Sequence, residues 1–225
     1  MEWGNDEPDA TIVIPQHGRA ELTIGVVQAV RAQEPVRWPI VVVDDGSGKD
    51  AADAVARSCG DARLLRQSHR GVTAAWNHAL RYVTTPLAVL LNNDVTITGT
   101  WVDALLRPLR EGQAQLSGVE LRRERSVPAR VLGALGRCEF LAGWCWAFRM
   151  PDYRAVDGFD ESLRLYFSDT DLQARLLAAA GTEAAVVAGL PLRHLGHRST
   201  QQLADRRAQW QSDRALFIEK WSTNR

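Results

Sequence analysis

Little in this sequence can staple a fold covalently. Its 225 residues include only 3 cysteines, at Cys59, Cys138 and Cys145, an odd number without CxxC spacing. That argues against a disulfide framework or a cysteine zinc site and for a reducing compartment, with each thiol a small buried hydrophobe. Net charge of one sign is missing as well. The 27 basic residues meet 27 acidic ones, for a formal charge of +0. Bulk charge gives no reason to expect a nucleic-acid partner, so any basic site must be local. No apolar run approaches the roughly 20 residues that span a bilayer; the richest, 132–150, is broken by Arg137, Glu139 and Arg149. The opening MEWGNDEPD is acidic and lacks the charged and apolar regions of a signal peptide. The expected compartment is cytoplasmic, with no integral membrane segment. No GxGxxG follows the first apolar run, which disfavours a dinucleotide-dependent dehydrogenase.

What is present is an ordinary globular composition, 45% hydrophobic and 24% charged, on a chain long enough to bury a core without staples. Residues 11–15 (TIVIP), 39–43 (PIVVV) and 86–91 (PLAVLL) are continuous apolar runs that read as buried strands. A further strand is expected at 62–66. Helical spacing is expected at 20–32, 51–59, 72–83 and 100–110. Strand–helix alternation with strands apolar on both faces specifies a mostly parallel sheet covered by helices, an α/β fold. The rhythm then changes. Residues 120–137 carry five arginines and read as a loop. A strand is expected at 140–148, a helix at 169–180, a short strand at 184–187 and a C-terminal helix at 199–221.

Ligands of open α/β sheets bind outside the carboxyl ends of the strands. Three predicted strands end there in polar groups: Pro15-Gln16-His17-Gly18-Arg19, Asp44-Asp45-Gly46-Ser47 and Asn92-Asn93-Asp94. A nucleoside diphosphate sugar needs such a set: an acceptor for the base, a small polar turn for the ribose, and oxygen ligands for a hard divalent cation. Asp94 is the best candidate ligand, with Asn92 able to add a carbonyl or bind water. Each piece also reads as plain structure, DDGS as a turn and helix cap and NND as a turn.

The ordered combination resembles the family 2 glycosyltransferases, which have the GT-A fold. The matching stretches are TIVIPQHGR, VVVDDGS, GVTAAWNHAL, VLLNNDV, GFDESLRLYFSDTDLQARL and HLGHRST, spanning roughly residues 11 to 200. The resemblance implies that Asp44 binds the donor base, with Pro15, Gln16, His17, Arg19, Gly71, Asn77, Asn92 and Asn93 also on the donor side. It implies that Asn92-Asn93-Asp94 serves as the DxD element and that Asp94 meets Mg2+ or Mn2+, although Asn92 departs from the usual first Asp. His194 resembles the family's late histidine and is preferred over His197 as a second metal group. Residues 1–10 are expected to be a tail and 11–225 one GT-A domain, with 11–112 holding the nucleotide sugar and 113–225 the acceptor.

YFSDTDLQARL places Ser168, Asp169 and Asp171 at a helix start, where such residues also cap orphan N–H groups. Asp169 resembles the family's catalytic base, with Ser168 in place of the preceding Glu. Asp160, Glu161 and Asp171 are candidates for sugar or acceptor contacts, as are Gly143 and Trp144. Of Trp144 and Trp146 one is expected at the site and one in the core, while Trp76, Trp101 and Trp210 read as structural. The arginines of 120–137 read either as closing over the diphosphate or as a solvated loop.

The reading is an inverting, metal-dependent transfer from a UDP- or dTDP-sugar to an unknown hydroxyl acceptor, a glycan or small natural product. Two alternatives stay open. A sugar-1-phosphate nucleotidyltransferase would need a longer, lysine-containing loop after the first strand and would release pyrophosphate. A non-catalytic nucleotide-sugar-binding module would bind donor without transferring or hydrolysing it.

Overall fold

The computed structural model describes residues 7–180, 184–196 and 205–223. The first half is the expected alternation: β1 (Ala10–Gln16), α1 (Ala20–Gln33), β2 (Ile40–Asp45), α2 (Lys49–Ser58), β3 (Arg63–Gln67), α3 (Val72–Leu80) and β4 (Leu87–Leu91). It continues through β5 (Val95–Ile97), α4 (Val102–Arg110), β6 (Leu116–Gly118), β7 (Leu121–Arg123), α5 (Ala129–Leu135), β8 (Glu139–Leu141) and β9 (Cys145–Arg149). The last elements are α6 (Met150–Ala155), α7 (Ser168–Ala180), β10 (Ala184–Val186), β11 (Leu192–His194) and α8 (Arg206–Thr223).

Among the described residues seven strands form one sheet in the order β10-β6-β9-β4-β1-β2-β3. Every pairing is parallel except those of β9, which runs antiparallel to β4 and β6. The carboxyl ends of β1, β2 and β4 therefore share an edge with the amino end of β9. Alternate residues of each strand feed two cores because side chains alternate between faces. Ile12, Ile14, Ile40, Val42, Val89 and Leu91 pack with α1, α2 and α4. Val13, Val41, Val43, Leu90, Trp146 and Phe148 pack with α3, α6 and α7. Each fully buried Val or Leu stabilises the fold by roughly 1.5–3 kcal/mol.

The second half departs from expectation in three places. Residues 120–137 are not one loop: they hold β7 and α5, because Val131 and Leu135 bury against Phe140, Phe167 and Phe217 in a third core. The strand expected over 140–148 is two strands, β8 and β9, interrupted at 142–144. That break divides the tryptophans. Residues two apart on one strand share a face, but Trp144 precedes β9 and lines a cavity, whereas Trp146 is 0% exposed. Trp101 is also buried and Trp210 packs on Phe167, while Trp76, buried too, borders the cavity. The C-terminal helix begins at Arg206 among the described residues.

Helix α8 is tied to the segment before α7 by a carboxylate. Asp213, 0% exposed, accepts from the backbone N–H groups of Arg164, Leu165 and Tyr166 at 3.2, 3.0 and 2.8 Å. From the other side, Thr73 N donates to Arg164 O at 3.3 Å and the Thr73 hydroxyl donates to Leu163 O. Gly71, at φ +97, completes this clamp, since a Cβ there would stand 2.6 Å from Arg164 O.

Candidate active site

A cavity of about 630 Å³ opens along the shared edge of the sheet. Pro15 and His17 reach it from the end of β1, and Asn92, Asn93 and Asp94 from the end of β4. Gly143 and Trp144 come from the break before β9, and Asp169 from the first turn of α7. Gly71 and His194 also line it.

Asp94 and His194 lie 100 positions apart and meet through a two-stranded sheet. β5 follows Asp94 directly and pairs antiparallel with β11, setting His194 opposite Val95. His194 Nε2 lies 3.0 Å from Asp94 Oδ1, and the Asp94 side chain is 1% exposed. The imidazole stacks on Trp144 at 5.3 Å and 3°. The Trp144 indole N–H donates to Glu120 Oε1 at 2.8 Å. Among the described residues no group of three His, Cys, Asp or Glu gathers as a complete metal cage. Asp94 and His194 would nevertheless suit a divalent ion as two of its ligands, the carboxylate supplying the hard oxygen and the imidazole a nitrogen. His197 lies outside the described residues.

Asp169 sits against Gly143. A Cβ on Gly143 would overlap Asp169 Oδ2 and stand 2.9 Å from its Cγ. The residue before α7, Phe167, holds φ at 62°, a strained position for a side chain with a Cβ. The clamped segment 163–167 thus delivers Asp169 to the cavity from a fixed direction.

At the β2 end the two acids separate. Asp45 lines the cavity and Asp44 does not, because neighbours on a strand face opposite ways. Asp44 is buried on the other face, its Oδ1 without a hydrogen-bond partner among the described residues. Asp45 Oδ1 accepts from Gln67 Nε2 and Arg70 N, each at 2.8 Å. Its Oδ2 accepts from Gly71 N at 2.9 Å and lies 2.9 Å from His69 Nδ1. These groups occupy the lone-pair sites of a carboxylate and order the turn after β3. His17 stacks on His69 at 4.3 Å. His17 Nδ1 lies 2.8 Å from Asp45 O, and since a carbonyl only accepts, that nitrogen carries its hydrogen.

Several expected site residues are used elsewhere. Gln16 and Asn93 border the cavity, but their amides join Thr23 and Ser47 in a hydrogen-bonded network. Arg19 lies outside the cavity lining and pairs with Glu21. Asn77 is a structural bracket: it donates to Phe159 O at 2.9 Å and Glu161 Oε1 at 3.0 Å, and accepts from the Tyr153 hydroxyl at 2.6 Å and Phe159 N at 3.0 Å. Burial pushes the Tyr153 hydroxyl up to about 12, which keeps that donor neutral. Glu161 pairs with Arg70 at 2.6 Å. Asp160 accepts from Ser162 and Lys220. Asp171, 0% exposed, binds Arg175, Lys220 and the Trp221 indole N–H. None of Asp160, Glu161 and Asp171 lines the cavity. Their partners, not the solvent, hold them.

Sequence reasoning did not single out Asp45, His69, Arg164, Tyr166 or Arg206, which all line the cavity. Ser68-His69-Arg70-Gly71 does follow a strand whose carboxyl end meets the same edge, and that was the available signal for His69. Arg206 arrives from α8 and has no local signature.

A family profile described as Glycosyl transferase family 2 matches residues 11–148. The pre-mycofactocin glycosyltransferase of Mycobacterium tuberculosis is 27% identical over 239 residues, covering 95% of this chain and 47% of that protein. The O-antigen biosynthesis protein RfbC of Myxococcus xanthus is 24% identical, covering 88% and 18%. This chain therefore spans about half the length, or less, of these curated relatives. Glucosyl-3-phosphoglycerate synthase of M. tuberculosis, solved with Mn2+, UDP-glucose and phosphoglyceric acid, superposes with a TM-score of 0.69 at 18% identity, over 96% of this chain and 80% of the other. The mannosyltransferase PcManGT of Pyrobaculum calidifontis, solved with GDP-Man and Mn2+, gives 0.59 at 19%, over 86% and 59%. These likenesses establish a GT-A fold. With the profile matched over more than half its length, on a GT-A sheet whose ligand edge carries this cavity, the chain belongs to glycosyl transferase family 2.

Proposed function

We propose that this chain transfers a sugar, with inversion, from a UDP- or dTDP-sugar to an acceptor hydroxyl, using Mg2+ or Mn2+. Residues 11–112 hold the donor and 113–225 the acceptor. The observation that carries this reading is the meeting of the Asp94–His194 pair and the Asp169 carboxylate in one cavity, at the edge where α/β sheets bind ligands. The GT-A relatives solved with Mn2+ and a nucleotide sugar support it.

Pro15, His17, Gly71 and Asn92 flank the nucleotide, and Asp94 and His194 hold the ion. When bound, the ion supplies positive charge that offsets the charge of the departing diphosphate. Asp169 accepts the proton of the acceptor hydroxyl, for which it must come within about 3 Å. The acceptor oxygen forms a bond to the anomeric carbon. The bond from that carbon to the phosphate oxygen breaks, and its electron pair leaves with the diphosphate. Attack opposite the leaving group inverts the centre, so no enzyme nucleophile is required. Gly143 leaves the base room to face the incoming hydroxyl, and Trp144 offers an indole face to a sugar ring.

The test is nucleotide release from a panel of UDP-, dTDP- and GDP-sugars with Mn2+, followed by the Asp169→Asn variant. Transfer or donor hydrolysis should fall by about 10²–10⁴-fold in the variant, while metal-dependent donor binding persists. Full activity in Asp169→Asn refutes the base assignment. Donor binding without any turnover favours the non-catalytic module, and pyrophosphate release favours the nucleotidyltransferase.

A further inference from the structure

Three arginines line the cavity into which Asp169 points, and one of them stands beside it. Arg122, at the centre of β7, places Nη2 3.8 Å from Asp169 Oδ2, with its side chain 58% exposed. Arg164 and Arg206 line the same cavity. Arg164 spends Nε on Arg70 O at 3.2 Å, and Arg206 neighbours the Tyr166 hydroxyl. Asp205 is a further carboxylate in the lining.

The Arg122 guanidinium stands beside Asp169 and is more than half exposed. At 3.8 Å it is beyond hydrogen-bond reach and does not orient the base. Orientation comes instead from the first turn of α7, from Gly143 and from the segment held by Asp213. Arg122 therefore does not position the base in the free protein. Its exposed charge faces the cavity, where it can meet negative charge on a substrate. The donor diphosphate belongs with Asp94 and His194, whereas Arg122 stands with Asp169, where the reacting hydroxyl must arrive.

We propose, building on the function above, that the acceptor carries an anionic group, a carboxylate or a phosphate, close to its reacting hydroxyl. Arg122 binds that group. The planar guanidinium fork suits both oxyanions, and a charge-assisted bidentate contact fixes the neighbouring hydroxyl relative to Asp169.

The experiment is calorimetric titration of the full chain, saturated with UDP and Mn2+, with glycerol 3-phosphate, glycerate or glycerol at low and high salt. One or both anions should bind, more weakly as salt rises, and the neutral triol should not. The difference between the two anions assigns phosphate or carboxylate. Arg122→Gln should weaken anion binding about tenfold or more and leave UDP affinity within about twofold, with Arg122→Lys intermediate. Glycerol binding as well as the anions overturns the proposal, as does unchanged anion affinity in Arg122→Gln. Loss of UDP affinity in that variant assigns the arginine to the donor diphosphate and overturns it too. UDP binding without anion binding refutes the acceptor class alone, whereas failure to bind UDP refutes the function on which it rests.

Discussion

Gly143→Ala isolates the placement of the proposed base from the stability of the fold. The added methyl would stand 2.9 Å from Asp169 Cγ and 3.3 Å from its Cβ, against ordinary contacts of 3.4–4 Å. Cγ must withdraw by about 0.5 Å to reach that range, and Oδ2, which the methyl would overlap, by more. The carboxylate is the end of a side chain that is 22% exposed, so it can rotate away at a cost of about 1 kcal/mol for an off-rotamer χ angle. Catalysis has no such escape, because misplacing a reacting group by about 1 Å costs on the order of 10²-fold, or about 2.7 kcal/mol of barrier. The expected outcome is kcat down about 100-fold, with the melting temperature lowered by only a few degrees and donor affinity kept. Steady-state nucleotide release, paired with thermal denaturation and a donor titration, reads all three. A Gly143→Ala enzyme with wild-type kcat would show that Asp169 does not act from this position. A large melting loss in step with kcat would show that the glycine serves the fold instead.

Asp213→Ala should destabilise the chain by about 3 kcal/mol, because three backbone N–H groups lose a buried carboxylate. A melting drop of roughly 10 °C with reduced turnover is expected, since the same segment carries Asp169; an unchanged melting curve would contradict the clamp. Asp160 gives a pH prediction. Burial raises its carboxyl, but hydrogen bonds from Lys220 and Ser162 outweigh that and hold it at about 2, below the ordinary 3.8 of an aspartate. A folded value lower than the unfolded one adds stability that is present above about pH 4 and lost as pH falls toward about 2. Asp160→Asn should therefore flatten the acid limb of a denaturation-versus-pH profile over that window, and an unaltered limb would remove Asp160 from the account.

Much of the architecture was legible because its causes are local. TIVIP, PIVVV and PLAVLL are apolar on both faces, which only a sheet covered on both sides accommodates, and each ends in the polar turn where a ligand edge begins. The same property hid a detail of the site. With apolar neighbours on both faces of β2, the pattern around Asp44-Asp45 carries no mark of which acid faces the helices of α1 and α2 and which faces the cavity. Asp45 is read only once α3 and the turn after β3 are in place around it.

The carboxylates of the second half make the same point. Asp160, Glu161 and Asp171 look like site acids in a linear motif, yet Lys220, Arg70, Asn77 and Trp221 consume them. The sequence by itself determined the strand–helix alternation, the polar strand ends and the family-like order of its motifs, because period and turn chemistry act between near neighbours. Tertiary structure alone decided the reversed direction of β9, the junction of Asp94 with His194, the delivery of Asp169 by a segment clamped from α3 and α8, and the placing of Arg122 beside it. Each of those depends on pairings across tens of residues, where burial and hydrogen bonding select a partner that no local pattern encodes.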